Sequence, residues 1–99
     1  MSTVVVRYTP RPEQADENQR LVEAVFAELA ETQPEGLRYT TMRLADGTFV
    51  HVAEVNGEEN PLRHSAAFAE FQKGIVERCE PGKGPNPQEA TLLGSYRPP

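Results

Sequence analysis

The sequence has no tryptophan and one cysteine, Cys79. A lone cysteine excludes an internal disulfide and a Cys-x-x-Cys metal site. No apolar run approaches the ~20 residues that a bilayer-spanning helix needs. The longest apolar run near the start, Val4-Val5-Val6, is too short for a secretory core. These absences predict a cytoplasmic protein without a membrane segment. Basic residues are also few, with 10 Lys and Arg against 15 Asp and Glu and a pI near 5.0. Nucleic acid is therefore not an expected partner, because phosphate neutralisation needs a basic footprint. Large apolar residues are scarce as well. Leu, Ile, Val and Phe number 21 of 99, close to the roughly 20% at which chains cease to fold. The length suits a single domain over residues 1–99. A core this thin predicts burial by a second copy, and so a homodimer.

What is present is patterned. Thr3 to Thr9 is rich in strand formers, and Pro10 and Pro12 stop it. Leu21, Val22, Val25, Phe26 and Leu29 recur on one helical face. That helix opens near Pro12, with Asp16 and Gln19 spaced for a capping box, and ends near Thr32. Leu37–Leu44 and Thr48–Val55 flank Ala45-Asp46-Gly47, and Asp-Gly suits a two-residue hairpin turn. That turn pairs Met42 with His51 and puts Arg38, Thr40, Met42, Leu44, Phe49, His51, Ala53 and Val55 on the helix-facing side. A slip of one residue reverses the choice. Leu62, Phe68, Phe71, Ile75 and Cys79 form the stripe of a second helix, opened by Pro61, weakened by Gly74 and closed by Pro81. A last strand is expected from about Ala90 to Tyr96. Gly82-Lys83-Gly84 lacks the spacing of a phosphate-binding loop.

The order β-α-β-β-α-β predicts an α+β, ferredoxin-like protomer. Four antiparallel strands form one sheet with both helices on one face. The other face is too apolar to stay wet and too polar for a private core. A second copy's sheet is its natural cover.

Few residues can carry chemistry. His51 is mid-strand on the helix-facing side, where a neutral imidazole could polarise or deprotonate an acidic phenol. Its alternative role is a core histidine bonded to one neighbour. Tyr8, Tyr39 and Tyr96 could orient a substrate oxygen, although sheet tyrosines usually pack. Arg38, with Arg7 and Arg43, could fix an anion or pair across an interface. Met42, Phe49, Phe68 and Phe71, with Phe26, are core residues first and cavity walls second. His64 is expected to be exposed, and Cys79 to be a small apolar residue at a helix end. No tight His and carboxylate spacing points to a metal.

The passages Gln33-Pro34-Glu35-Gly36-Leu37-Arg38-Tyr39, Phe49-Val50-His51-Val52-Ala53-Glu54-Val55 and Asn60-Pro61-Leu62 leading to Ser65-Ala66-Ala67-Phe68-Ala69-Glu70-Phe71 carry a resemblance. They are similar to the antibiotic biosynthesis monooxygenase-like family of the dimeric α+β barrel superfamily, from Val4 to about Tyr96. The resemblance implies a homodimer built sheet to sheet. Its enzymes commonly oxygenate activated aromatics without metal or flavin. Others degrade haem, isomerise small molecules or have no established reaction. Val55 stands where the family often has an aromatic, and the missing tryptophan removes a key residue of the haem-degrading members. The expected function is cofactor-independent oxygenation of a quinol or polyketide-like phenol in a helix-to-sheet pocket. His51 would be the catalytic residue, and Tyr39, Arg38, Met42, Phe49, Phe68 and Phe71 would contact the substrate. The alternatives are a non-catalytic ligand-binding or structural homodimer, and an isomerase of the same barrel.

Overall fold

A computed structural model of the chain describes residues 2–99. β1 (Ser2–Tyr8) leads through a single 3-10 turn (Pro12–Gln14) into α1 (Ala15–Thr32). β2 (Leu37–Arg43) and β3 (Phe49–Val55) form a hairpin. A 3-10 turn (Pro61–His64), α2 (Ala66–Gln72) and α3 (Ile75–Arg78) return the chain to the edge strand β4 (Asn86–Ala90). The sheet order is β2-β3-β1-β4, antiparallel throughout. This is the ferredoxin-like arrangement, with the helices packed on one face.

α1 begins at Ala15 with no side-chain cap, so the expected Asp16–Gln19 capping box does not form. Asp16 instead pairs with Arg43 at 3.1 Å. Asp16 and Glu17 still sit in the first turn, where the helix dipole favours negative charge. The helix buries Ala15, Asn18, Leu21, Val22 and Val25. It stops where Gln33 turns left-handed at φ 45° ahead of Pro34.

The hairpin corrects the expected register. Its loop has three residues, Ala45-Asp46-Gly47, closed by Leu44 N–H donating to Thr48 O at 2.8 Å. Gly47 takes φ 91° and the Asp46 carboxylate accepts from Thr48 N–H at 2.9 Å. An Asp-Gly pair suits this longer loop as well as the two-residue one. Thr41 therefore faces His51, and Met42 faces Val50. The one-residue shift turns β2 over. Tyr39 and Thr41 point toward the helices, whereas Arg38, Thr40 and Met42 are exposed on the opposite face.

The second helix is not continuous. Asn60 caps the 3-10 turn by accepting from Leu62 N–H, and Ser65 caps α2 by accepting from Phe68 N–H, both at 2.9 Å. Gly74 at φ 76° separates α2 from α3, because a left-handed residue ends helical hydrogen bonding. The last strand is also displaced from expectation. Asn86 to Ala90 pair with Arg7 to Thr3, so β1 offers almost nothing further to residues 91–96. Pro87 is tolerated because β4 lies at the sheet edge. Leu92, Leu93 and Tyr96 are left exposed. The core beneath the helices gathers Tyr8, Leu21, Val22, Val25, Phe49, Leu62, Phe71 and Cys79.

Candidate functional site

Between the inner sheet face and α2–α3 lies a cavity of about 510 Å³. That volume is in the range of small-molecule sites. Val4 and Val6 of β1 and Ala53 of β3 form its sheet wall, and Leu62, Phe68, Phe71 and Ile75 form its helix wall. Alternation along each strand explains the sheet wall, since every second side chain faces the helices. Exposed Glu58, Arg63 and Gln72 mark the open end, and buried Tyr8 and His51 mark the closed end.

The closed end holds a buried chain of polar groups. His51 is 5% exposed. Its Nε2 lies 2.7 Å from the Tyr8 hydroxyl, and its Nδ1 lies 2.5 Å from the Tyr39 hydroxyl and 3.2 Å from Thr41 Oγ1. The Tyr8 hydroxyl also accepts from Asn18 Nδ2 at 2.9 Å. Asn18 Oδ1 in turn accepts from Arg78 Nε at 3.2 Å. The Arg78 guanidinium donates to the carbonyls of Phe71 and Lys73 at 2.6 and 3.0 Å. Five side chains from five elements thus run in one hydrogen-bonded series from α3 to the cavity. Among the described residues no buried side-chain polar atom lacks a partner.

Aromatic packing holds this series in place. Tyr8 stacks on Phe49 with centroids 5.6 Å apart, and Tyr39 stacks on Phe26 at 5.2 Å. His51 leans on Phe71 at 5.2 Å. Burial depresses the His51 pKa to about 4, so the ring is neutral near pH 7. Burial raises the Tyr8 hydroxyl well above its usual range, with a hydrogen bond from Asn18 working the other way. The Tyr39 hydroxyl is pushed up to about 12 by burial, opposed by a hydrogen bond from Thr41.

Five of the residues singled out from sequence meet at the cavity: Tyr8, His51, Tyr39, Phe68 and Phe71. Phe49 lies behind it, packed on Tyr8. Arg38 and Met42 are on the far face of the sheet, a direct result of the three-residue loop. Asn18 and Arg78 join the site without having been anticipated. Asn18 falls on the stripe of Leu21, Val22 and Val25, and a polar residue on an apolar face is a legible signal. Arg78, three residues after Ile75 and seven after Phe71, breaks the stripe of the second helix in the same way. Among the described residues no cluster of three or more His, Cys, Asp or Glu is arranged to hold a metal. No helix is long and apolar enough to cross a membrane.

No family model matches the sequence, and no curated protein matches it significantly. Solved structures do match in shape. Rv0793 from Mycobacterium tuberculosis is 19% identical, with 97% of this chain and 98% of that one covered and a TM-score of 0.70. A Nitrosomonas europaea protein of unknown function, NE2512, is 17% identical, with 99% and 94% covered and a TM-score of 0.71. A candidate antibiotic biosynthesis monooxygenase, also from Nitrosomonas europaea, is 10% identical, with 93% and 89% covered and a TM-score of 0.73. The fold anticipated from the resemblance is the fold these proteins share with this chain.

Proposed function

We propose that this chain is a cofactor-independent monooxygenase for a small electron-rich aromatic, bound between the sheet and α2–α3. The observation that carries this reading is the end of the polar series at the cavity. One apolar compartment holds two aromatic walls, Phe68 and Phe71, and one hydrogen-bonding pair, Tyr39 and His51. An aromatic ring packs against the first pair, and its oxygen meets the second.

The chemistry needs little from the protein. A hydroxyarene, once ionised, is rich enough to pass an electron to O₂. The superoxide and aryloxyl radical then combine, and the peroxide loses water. Hydroxyarene plus O₂ becomes quinone plus water, with O₂ as the oxidant. The site's contribution is desolvation and positioning of the anion. His51 acts as a polariser through Tyr39, because both ring nitrogens are already engaged. The relatives' names and the resemblance support the reaction class. The apolar residues Val5, Met42, Val50 and Val52 on the outer sheet face support a homodimer, with a second copy's sheet as cover.

The test is oxygen uptake over a panel of quinols and polycyclic phenols. Uptake of one O₂ per quinone formed is expected, falling by about tenfold or more in Tyr39→Phe, the loss typical of a hydrogen bond to a charged group. No uptake with any member of the panel would overturn the oxygenase reading. Equal rates for wild type, Tyr39→Phe and His51→Ala would remove the pair from the reaction.

A further inference from the structure

We infer that Arg78 and Asn18 are positioning residues: they fix His51 as its Nδ1–H tautomer, so that Tyr39 offers its hydroxyl proton to the cavity and selects an aromatic ligand whose inserted oxygen is a phenolate or carbonyl acceptor. The ligand half rests on the reading of the cavity given above. The tautomer half stands on geometry alone.

The direction of each hydrogen bond follows from the group before it. A guanidinium has donors only, so the atom of Asn18 facing Arg78 Nε at 3.2 Å must be the amide oxygen. The Asn18 NH₂ is then turned to Tyr8 and donates to its hydroxyl oxygen at 2.9 Å. Tyr8 has one proton, and His51 Nε2 is the acceptor 2.7 Å away. An Nε2 that accepts leaves the single proton of a neutral imidazole on Nδ1. That proton is donated to the Tyr39 oxygen at 2.5 Å. With His51 donating to its oxygen, Tyr39 has its own proton left for the cavity that its ring lines.

The far end of the series reinforces this direction. Arg78 is 9% exposed, and among the described residues it forms no ion pair. Its neighbours Phe71 and Lys73 contribute carbonyls, not carboxylates. A buried cation without a counter-ion makes the potential along the series positive. Aligned donors polarise one another, and low dielectric strengthens the effect. The arrangement is therefore suited to an anionic oxygen at Tyr39. It gives a neutral phenol no acceptor there.

One substitution reverses the series. In Asn18→Asp the carboxylate keeps Arg78 as a partner but can only accept. Tyr8 then donates to residue 18, His51 donates from Nε2 to Tyr8, and Nδ1 accepts from Tyr39. In Arg78→Lys the donor-only character remains, so the original tautomer is retained.

The experiment is NMR of the ring nitrogens in ¹⁵N-histidine-labelled full-length protein, assigned with His51→Gln. Wild type and Arg78→Lys are expected to carry the proton on Nδ1, and Asn18→Asp on Nε2. A wild-type ring protonated on Nε2 would overturn the inference. A folded Asn18→Asp variant with an unchanged tautomer would do the same. Arg78→Lys and the wild type keep the test decisive should Asn18→Asp fail to fold. The second arm is titration with 4-nitrophenol, read by the absorbance of its anion. Binding as the phenolate is expected, with a lowered apparent pKa and about tenfold weaker affinity in Tyr39→Phe. Binding as the neutral phenol overturns the ligand class. Absence of binding overturns the ligand class together with the small-molecule reading of the cavity, while the NMR result still decides the tautomer.

Discussion

The Tyr8 hydroxyl and His51 Nε2 lie 2.7 Å apart, although the two residues are not opposite one another in the β1–β3 ladder. Tyr8 faces Phe49, and His51 faces Val6. The contact is a diagonal one between neighbours on the inner face, which long side chains can span. It ties the closed end of the cavity to the centre of the core.

Tyr8→Phe keeps the ring and its stacking on Phe49 but removes the only oxygen between Asn18 and His51. Two buried polar groups then lose a partner. A loss of about 1–3 kcal/mol is expected for each group left unsatisfied in the interior. Urea unfolding of Tyr8→Phe against wild type measures it. An unchanged midpoint would mean that water replaces the hydroxyl.

Stability should fall in mild acid. The folded His51 pKa is about 4 against an ordinary value of 6.5, lowered because burial disfavours the charged ring. The unfolded chain therefore takes up the proton first. The contribution is complete above the unfolded pKa, declines as pH drops from about 6.5, and is gone below the folded pKa near 4. Its size is roughly 3 kcal/mol from the linkage relation. Thermal unfolding between these pH values should show this slope, and His51→Gln should flatten it.

Gly36 and Gly47 both take positive φ, at 79° and 91°. They differ in what surrounds them. A Cβ on Gly36 would sit 2.7 Å from the carbonyl oxygen of Asn56, whereas one on Gly47 meets nothing within 4 Å. Gly47→Ala is expected to cost only the left-handed backbone term of about 1–2 kcal/mol. Gly36→Ala should cost clearly more, because Gly36 O also accepts from Asn56 N–H at 2.8 Å and cannot easily move away. Denaturant midpoints of the two variants give the comparison.

The proposed dimer predicts sedimentation at twice the 11.0 kDa chain mass at low micromolar concentration. Met42→Asp introduces an unpaired charge at a residue that is 47% exposed in the single chain. Dissociation without loss of helical signal is the expected result. Single 11.0 kDa particles for the wild type would remove the dimer.

Much of this architecture is legible in the residues. The valine run of β1, the stripe of α1 and the proline and glycine stops between elements locate the first half of the chain. Three details lie beyond local pattern. Asp46-Gly47 announces a turn but does not set its length, which depends on Gly47 reaching φ 91° and on the Asp46–Thr48 bond. The strand at Asn86–Ala90 is hidden by Pro87, which reads as a breaker unless the edge position is known. The link from Arg78 to Asn18 spans sixty positions in the chain, and no periodicity reports a contact at that separation. Within the site, His51, Tyr39 and the two phenylalanines of α2 are readable as candidates. What joins them into one series is tertiary.

The odd number of residues between Leu44 and Thr48 has a consequence for the whole compartment. Were Ala45 to join β2 and pair with Thr48, the turn would tighten to Asp46-Gly47 and β2 would roll about its long axis. Arg38 and Met42 would then swing under the helices, and Tyr39 would leave. The closing of one turn at the protein's surface thus governs whether a phenol or a thioether stands beside His51.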